Sequence, residues 1–535
     1  MNLLTDPVFH AQTRQGLKQL SLPALLVALG RDEIDSLTGL QRHQEDAFHI
    51  FLCYLAAAVL EREQKNDPKQ EKAFWCNAIR RLDGGGDSAW TLVVKDITQP
   101  AFMQPALPSR ILYEEKFTKN GKAEPDASTP DVLDLLATSK NHDIKARRTN
   151  HDSEEAWVYA LINLQTMTCR NGAGNEGVAR MSGTFSARMR VQILISKRPG
   201  KQWVRDVKKL LKYRPIILNR KLRYKPDGIV LTWVEPWDLE SSYITTDLDP
   251  FFIEISRARR LVITNRGIAA YNASALHRVL PKSVREQING DLGDPWIPID
   301  TEKSQAFNVY SEGFTPRITR DLLFGIIDSS EIIKRPYMQE PEADDSDCWF
   351  YASGLSRRGK DSNTEGFHSV CIPMKKEATH LLFSAGKDRD MLAEMSEEGL
   401  HLAAIIEGLL KKALHSLLLG GVKENELPKR KKDIPREVQQ WTKEALLVYS
   451  EAWSRYYFDW LWRTLDHDDE DQARLEWLTA LKEKAVKVLD DAIDRLPERQ
   501  GRRYRAQVRA RGLFYGSLYK QFDELKEQRD AKHTA

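Results

Sequence analysis

The stretch from residue 389 to residue 527 restricts the fold most. Between residues 389 and 419, Met391, Met395, Leu402, Ile405, Leu409, Leu414 and Leu417 fall at helical intervals. Gly420 and Gly421 end the run, where a helix needs a left-handed cap that glycine adopts without a Cβ penalty. A basic linker follows, with Pro428 and Pro435 at its ends. A second helical run, rich in Trp and Tyr, covers residues 436–465. An acidic stretch, 466–471, separates it from a third, over 473–496. Pro497 breaks that one, and a fourth runs over 502–527. Four amphipathic helices with short connections bury their apolar stripes together in a four-helix bundle.

Residues 1–385 lack this regularity. Short strands, helices and many Pro and Gly turns alternate without a detectable repeat. The expected fold is therefore α+β: a large irregular mixed N-terminal domain (residues 1–385) followed by an all-α four-helix bundle (residues 386–535). A chain of 535 residues exceeds one ordinary core, and 41% hydrophobic content is enough to build two.

Lys and Arg number 80 against 77 Asp and Glu, a formal net charge of +3. That balance does not announce a nucleic-acid binder, so local distribution must carry any such reading. The five cysteines (Cys53, Cys76, Cys169, Cys348, Cys371) form no C-x-x-C pair. This argues against a zinc ribbon and a disulfide framework, and neither metal nor cofactor is expected. The N-terminus lacks the basic and apolar regions of a signal peptide. The apolar stretch 47–60 is interrupted by His49 and is too short to span a bilayer, so it reads as a buried helix. A cytoplasmic protein without a membrane partner is expected.

Residues 170–190 hold the most concentrated functional signal. Gly172, Gly174, Gly177 and Gly183 lie among Arg170, Arg180, Arg188 and Arg190, with only Glu176 opposing. Such a loop offers bare backbone N–H groups beside guanidinium forks, which suits phosphate or a nucleic-acid groove. Gly172, Gly174 and Gly177 also spell G-x-G-x-x-G, but a dinucleotide site needs strand, glycines, then helix. Here Trp157, Ala160, Leu161, Leu164 and Met167 mark a helix before the glycines. Met189, Val191, Ile193 and Ile195 alternate as a strand after them. The order is reversed and the cofactor reading fails. An ordinary surface loop remains the alternative.

Between residues 188 and 225 stand 14 Lys or Arg and one acid, Asp206, with Trp203, Tyr213 and Tyr224 interleaved. This is either a solvated basic face or a nucleic-acid track with stacking aromatics. Acidic residues follow at once: Glu235, Asp238, Glu240, Asp247, Asp249 and Glu254. Further on, residues 354–361 approach a P-loop, but Asp361 stands where the pattern needs Ser or Thr to hold magnesium. Strand-like residues flank this segment, so it reads as a β-hairpin with a polar, basic tip. Three His-Asp pairs (His142-Asp143, His151-Asp152, His467-Asp468) keep a metal-dependent nuclease open as the enzymatic alternative.

Several weak motifs in order carry a resemblance. They are Asn2-Leu-Leu-Thr-Asp-Pro7, Pro100-Ala-Phe-Met-Gln104, Thr129-Pro130 before a Leu-rich helix, the glycine loop, the polar hairpin, and Ala510-Arg-Gly-Leu-Phe-Tyr-Gly-Ser-Leu-Tyr-Lys520. Together they resemble the CasA-like large subunits of Cascade, the type I-E CRISPR surveillance complex. The resemblance implies a non-enzymatic recognition subunit whose partners are guide RNA, double-stranded target DNA, other Cascade subunits and a helicase-nuclease.

The same resemblance implies site residues. Lys140, Asn141, Lys145, Arg147 and Arg148 would contact the guide-RNA handle. Gly172, Gly174, Asn175, Gly177, Arg180, Ser182, Gly183 and Arg188 would form the loop that reads the PAM, the short motif beside the target, from the minor groove. Lys303 would reach into that groove. Ser356, Arg357, Arg358, Gly359, Lys360 and Asn363 would form a wedge that parts the duplex and starts R-loop formation. Some relatives bind zinc through a Cys cluster in the N-terminal domain. Here only Cys348 and Cys371 follow Cys169, so no zinc is expected. The hairpin tip is also longer and more basic than the family's Asn- or Gln-bearing wedge.

Overall fold

The structure, a computed structural model, describes residues 1–117, 129–134, 153–167, 177–181, 187–275, 291–325, 333–342, 347–357, 364–383, 387–466, 470–496 and 500–527. The chain divides into two compact units: Met1–Phe314 with Asp321–Pro373, and Thr315–Arg320 with Met374–Ala535.

The first unit mixes helices with small sheets. Helix α1 (Leu22–Gly30) precedes α2 (Glu45–Arg62), whose residues from Asp46 to Leu60 are all buried except His49. A helix apolar on every side must be covered on every side. Here α3 (Glu154–Met167), α4 (Pro199–Leu218) and a strand at residues 248–253 pack on it. Seven buried tryptophans (Trp75, Trp90, Trp157, Trp203, Trp233, Trp237, Trp296) add the largest apolar surfaces. Burying a large apolar side chain contributes about 1.5–3 kcal/mol relative to exposure.

The sheets are short. Strands β1 (Phe9–Thr13), β2 (Gly16–Leu20) and β3 (Ile34–Leu37) stand in the order β2-β1-β3. Strand β4 (Met189–Leu194) follows the glycine loop. β5 (Ile229–Leu231) and β6 (Leu248–Ile253) pair in parallel, and β7 (Arg259–Thr264) pairs antiparallel with β8 (Gly267–Asn272). β9 (Ile299–Asp300), β10 (Gln305–Ala306) and β11 (Ile333–Lys334) stand in the order β10-β9-β11. β12 (Cys348–Arg357) and β13 (Thr364–Met374) extend β4 in the order β13-β12-β4.

The second unit contains α5 (Lys387–Leu418), α6 (Arg436–Arg463), α7 (Glu470–Asp494) and α8 (Gln500–Gln521). α5 packs on the other three, and α6 packs on α7. Gly399 makes the closest approach. A Cβ there would stand 2.4 Å from Trp460 Cζ3, so the ring lies directly on the α5 backbone. Trp460 stacks on Trp477 with centroids 4.7 Å apart, and Trp477 Nε1 donates to Gly399 O at 2.9 Å. At the end of α5, Gly420 and Gly421 adopt φ +82° and +83°, and Gly421 N donates back to Ser416 O at 2.8 Å. The α+β architecture with a helical C-terminal part is thus the one the hydrophobic patterning called for. Among the described residues no helix is long and apolar enough to cross a membrane.

Candidate functional site

The glycine loop leaves α3 at Met167 and returns as β4 at Met189. Its stems are described; Gly172, Gly174, Asn175, Ser182 and Gly183 lie outside the described residues. Val178 bridges Ile255 antiparallel, with Val178 N donating to Ile255 O at 2.7 Å. Arg188 N donates to Met167 O at 3.2 Å, so the two ends of the loop are tied together. At Gly177 a Cβ would stand 2.2 Å from Ile255 O and 2.6 Å from Ser256 C. This glycine serves close backbone packing. It is a stem residue.

Arg180 and Arg188 also differ from the expected DNA contacts. Their side chains are 0% exposed. Arg188 Nη1 donates to Glu254 Oε1 at 3.2 Å, while Nη2 donates to Asp294 and, at 3.4 Å, to Tyr54 OH. Arg180 Nη2 donates to Pro250 O at 3.1 Å and Phe252 O at 2.7 Å. Its Nε lies 3.5 Å from Glu254 Oε1, and its guanidinium lies over the Phe252 and Tyr54 rings at 3.9 and 4.5 Å. Burial opposes charge on both arginines. It is outweighed at Arg180 by Tyr54, Glu254 and Asp294, and at Arg188 by Asp294, Glu254 and Tyr54, which hold both pKa values above the ordinary one. Burial pushes the Glu254 carboxyl up, against the pull of Arg188 and Arg180. Two cations and two anions thus close a buried cluster across both stems. Desolvated guanidinium groups matched in this way brace the loop and are not available to phosphate.

Lys303 occupies the turn between β9 and β10. Asp300 Oδ1 accepts from Lys303 N at 2.9 Å, and Oδ2 from Lys303 Nζ at 3.0 Å. The Lys303 side chain is 63% exposed. Asp300's hydrogen bond and charge raise the ammonium pKa. Burial works against the Asp300 charge, but the Lys303 N–H, its ammonium hydrogen bond and its charge hold the carboxyl below the usual range. Met181, just before the loop's second half, packs with Ile297, Ile299 and Ala306. The loop and the lysine turn therefore share one apolar contact.

β4 links the third element. It pairs antiparallel with β12 from Trp349↔Leu194 to Gly354↔Met189. On the same strand, Val191 N donates to Trp296 O at 3.0 Å, and Gln192 Oε1 accepts from Trp296 Nε1 at 2.7 Å. Ser356 is buried on β12, one residue before the strand ends at the tip segment. Its hydroxyl donates to Gly366 O at 3.3 Å and meets His368 Nε2 at 3.0 Å, so its side chain ties the two strands together below the tip and is not exposed on it. Arg357 ends β12. Arg358, Gly359, Lys360 and Asn363 lie outside the described residues.

The basic run resolves differently from a track. Residues 199–218 are α4, and Trp203, Val207, Leu210, Tyr213 and Ile217 form its buried face. Trp203, Tyr213 and Tyr224 are 1%, 2% and 5% exposed, so they are core residues and no base-stacking platform. Arg190, Arg205, Lys209 and Arg214 are buried too. Arg190 pairs with Asp46 at 2.8 Å, and Arg214 with Asp249 at 2.8 Å. Lys197, Lys201, Lys208, Lys212, Lys221, Arg223 and Lys225 remain exposed. The acidic residues that sequence reasoning left unassigned, Asp249 and Glu254, prove to be the buried counter-ions. The helical spacing of the α4 apolar residues was the available signal.

Lys140, Asn141, Lys145, Arg147 and Arg148 lie outside the described residues, as do His142, Asp143, His151, Asp152, His467 and Asp468. The segment before the first five is anchored. Buried Asp134 accepts from Gln44 Nε2 at 2.6 Å, meets His43 Nε2 at 2.6 Å and accepts from Asn163 Nδ2 at 3.3 Å.

In sequence the chain matches no protein-family model and no curated relative. In structure it is similar to Thermobifida fusca Cse1 (TM-score 0.64, 14% identity, 98% of this chain and 98% of that chain). It is similar to the CasA of Thermus thermophilus (TM-score 0.61, 13% identity, 98% of this chain and 100% of that chain). It is also similar to a chain of a CRISPR RNA-guided surveillance complex (TM-score 0.57, 13% identity, 96% of this chain and 99% of that chain). The chain has the CasA fold over nearly its whole length.

Proposed function

We propose that this chain is the large subunit of a CRISPR RNA-guided surveillance complex of the type I-E Cascade class, a recognition subunit without catalytic activity of its own. Its partners in this reading are guide RNA, double-stranded target DNA, the other subunits of the complex and a helicase-nuclease. Support comes from the fold, which is similar end to end to chains described as CasA, as Cse1 and as part of a CRISPR RNA-guided surveillance complex.

Within that role, the glycine loop and Lys303 read the PAM from the minor groove, and the β12–β13 hairpin is the wedge. One observation carries this: β4 is the exit strand of the glycine loop and pairs with β12 of the hairpin, while the Lys303 turn packs on Met181 at the loop's stem. Three elements distant in sequence thus rest on one frame. The minor groove is about 6 Å wide and its hydrogen-bond code is degenerate. Bare glycine backbone and one long cation suit such a surface. The readers are Gly172, Gly174, Asn175, Ser182, Gly183 and Lys303, with Gly177, Arg180 and Arg188 as their support. A wedge built from Arg357, Arg358, Gly359, Lys360 and Asn363 must offset unstacking, about a few kcal/mol per step. Base pairing with the guide then supplies sequence specificity, and Lys140, Asn141, Lys145, Arg147 and Arg148 hold the guide handle.

The test is a complex reconstituted with guide RNA and its other subunits. Gly174→Asp and Lys303→Ala are each expected to abolish or strongly weaken PAM-dependent binding of duplex DNA, with assembly intact. Wild-type binding by both variants rejects the site. Failure of the chain to join any RNA-containing assembly rejects the function.

A further inference from the structure

Two central helices of the first unit bring a histidine, a cysteine and an aspartate together beneath a cavity. His49 and Cys53 stand one turn apart on one face of α2, and Asp206 comes from α4. His49 Nε2 lies 2.8 Å from Asp206 Oδ2 and 3.4 Å from Cys53 Sγ. The three ligand atoms all lie within 4.8 Å of one another. A tetrahedral zinc ion, with bonds of about 2.0–2.3 Å, sets its ligand atoms roughly 3.3–3.7 Å apart. The His49–Cys53 pair already has that spacing, the His49–Asp206 pair would widen by about half an ångström, and the third would close by up to about one.

The convergence itself calls for an explanation. A single imidazole nitrogen carries either one proton or one lone pair. It can satisfy the carboxylate or the thiol, whereas a metal ion at the point of convergence satisfies all three groups together. Asp206 is held for such a role. Its Oδ1 accepts from Gln202 Nε2 at 2.8 Å and from Arg205 Nη1 at 3.3 Å, which leaves Oδ2 turned to His49. Outer hydrogen bonds of this kind orient metal ligands. The nearby Arg190 is already neutralised by Asp46 at 2.8 Å. His49, Gln202 and Trp203 also line a cavity of about 540 Å³, together with Arg42, Asp46 and Arg190. Of the three ligands His49 alone lines it, so the cavity meets the cluster at the imidazole, with Cys53 and Asp206 buried behind.

We propose that His49, Cys53 and Asp206 bind a divalent cation of the zinc class, with its fourth position on the side where His49 reaches the cavity. The mixed sulfur, nitrogen and oxygen donor set selects zinc or cobalt over magnesium or calcium. The ion would pin α2 to α4. No sequence spacing announces this site, because Asp206 lies far along the chain and on another helix.

The test uses the full-length chain alone, so its outcome is independent of the nucleic-acid role. The protein is stripped with a chelator, titrated with Co²⁺ and followed by absorption. A single tightly bound equivalent with a thiolate-to-cobalt charge-transfer band is expected, and it should be displaced by Zn²⁺. Cys53→Ser should lose the band and weaken binding by at least about tenfold, the scale on which even supporting groups act. Cys371→Ser, which removes the exposed cysteine, should keep both. Cys53→Ala, which adds no polar group, is a second test if the serine variant does not fold. Absence of the band from the wild type, or its persistence in the folded Cys53 variant, overturns the proposal.

Discussion

Arg188 and Lys303 are both cations beside the same glycine loop, yet their charges do opposite work. Arg188 is 0% exposed and closes a neutral cluster with Arg180, Glu254 and Asp294. Lys303 is 63% exposed and touches one carboxylate of its own turn. The first charge is matched inside the protein, where desolvation makes any unpaired partner costly. The second stays in water and can be moved to a phosphate or a base edge at little cost. Residue type and proximity to a loop do not separate these roles; the partners do.

The largest expected effect belongs to the buried member. Arg188→Ala leaves Glu254 and Asp294 with an uncompensated charge and should destabilise the chain by about 3–5 kcal/mol, read as a shift of the denaturation midpoint. A fully stable Arg188→Ala chain that merely lost DNA binding would break the comparison and return Arg188 to the groove. Gly177→Ala comes next. Its Cβ must displace the Ile255–Ser256 backbone, so a loss of about 1–3 kcal/mol is expected from overpacking. If Gly177→Ala is as stable as the wild type but fails to bind PAM, the glycine reads DNA directly.

Lys303→Ala should leave the denaturation midpoint close to that of the wild type, as surface substitutions do, while PAM-dependent binding by the assembled complex falls. Destabilisation on the scale of Arg188→Ala would erase the distinction between frame and reader. The smallest effect is a titration. Asp300 has its folded pKa held below the ordinary value of 3.8. Its contribution is therefore present above the unfolded pKa and is lost as pH falls through the folded one. The Lys303 turn should hold its geometry down to about pH 4 and loosen below it. In Lys303→Ala the Asp300 carboxyl should titrate closer to its ordinary value, which carboxylate NMR shifts against pH would detect. An unchanged titration would show that Lys303 is already free of Asp300 in solution.

Much of the fold is legible in the residues. Three of the four long helices end within two positions of where periodicity and caps place them, because each is amphipathic over many turns and Gly420 and Gly421 supply a left-handed stop, while the fourth, expected to run to residue 527, ends at Gln521. The strand after the glycine loop is legible as β4. Two of the short motifs that carry the family resemblance turn out to be joints between segments distant in the chain. Asn2 Nδ2 donates to Asp87 O at 2.9 Å and Thr91 Oγ1 at 3.0 Å, and Gln104 Nε2 donates to Leu92 O at 2.7 Å while its Oε1 accepts from Leu261 N at 2.6 Å. Side chains with several fixed backbone partners have few substitutes, which is why weak motifs in order point to a fold.

The basic run from residue 188 to residue 225 misleads for an equally physical reason. A count of charges registers Arg188, Arg190, Arg205, Lys209 and Arg214 as surface, since unpaired cations are almost never buried. Glu254, Asp294, Asp46 and Asp249, which neutralise Arg188, Arg190 and Arg214, lie elsewhere in the chain. No local pattern reveals which carboxylate meets which guanidinium.

By itself, then, the sequence determined the classes of its elements, the helical C-terminal part and the position of the glycine loop, because hydrophobic period, caps and turn residues act over a few neighbouring positions. Only the tertiary structure decided which arginines brace that loop and which lysine faces outward, and that His49 and Cys53 on α2 meet Asp206 on α4. Burial and charge pairing depend on residues that meet only when the chain closes on itself, and that closure makes Arg180 and Arg188 framework while leaving Lys303 in water.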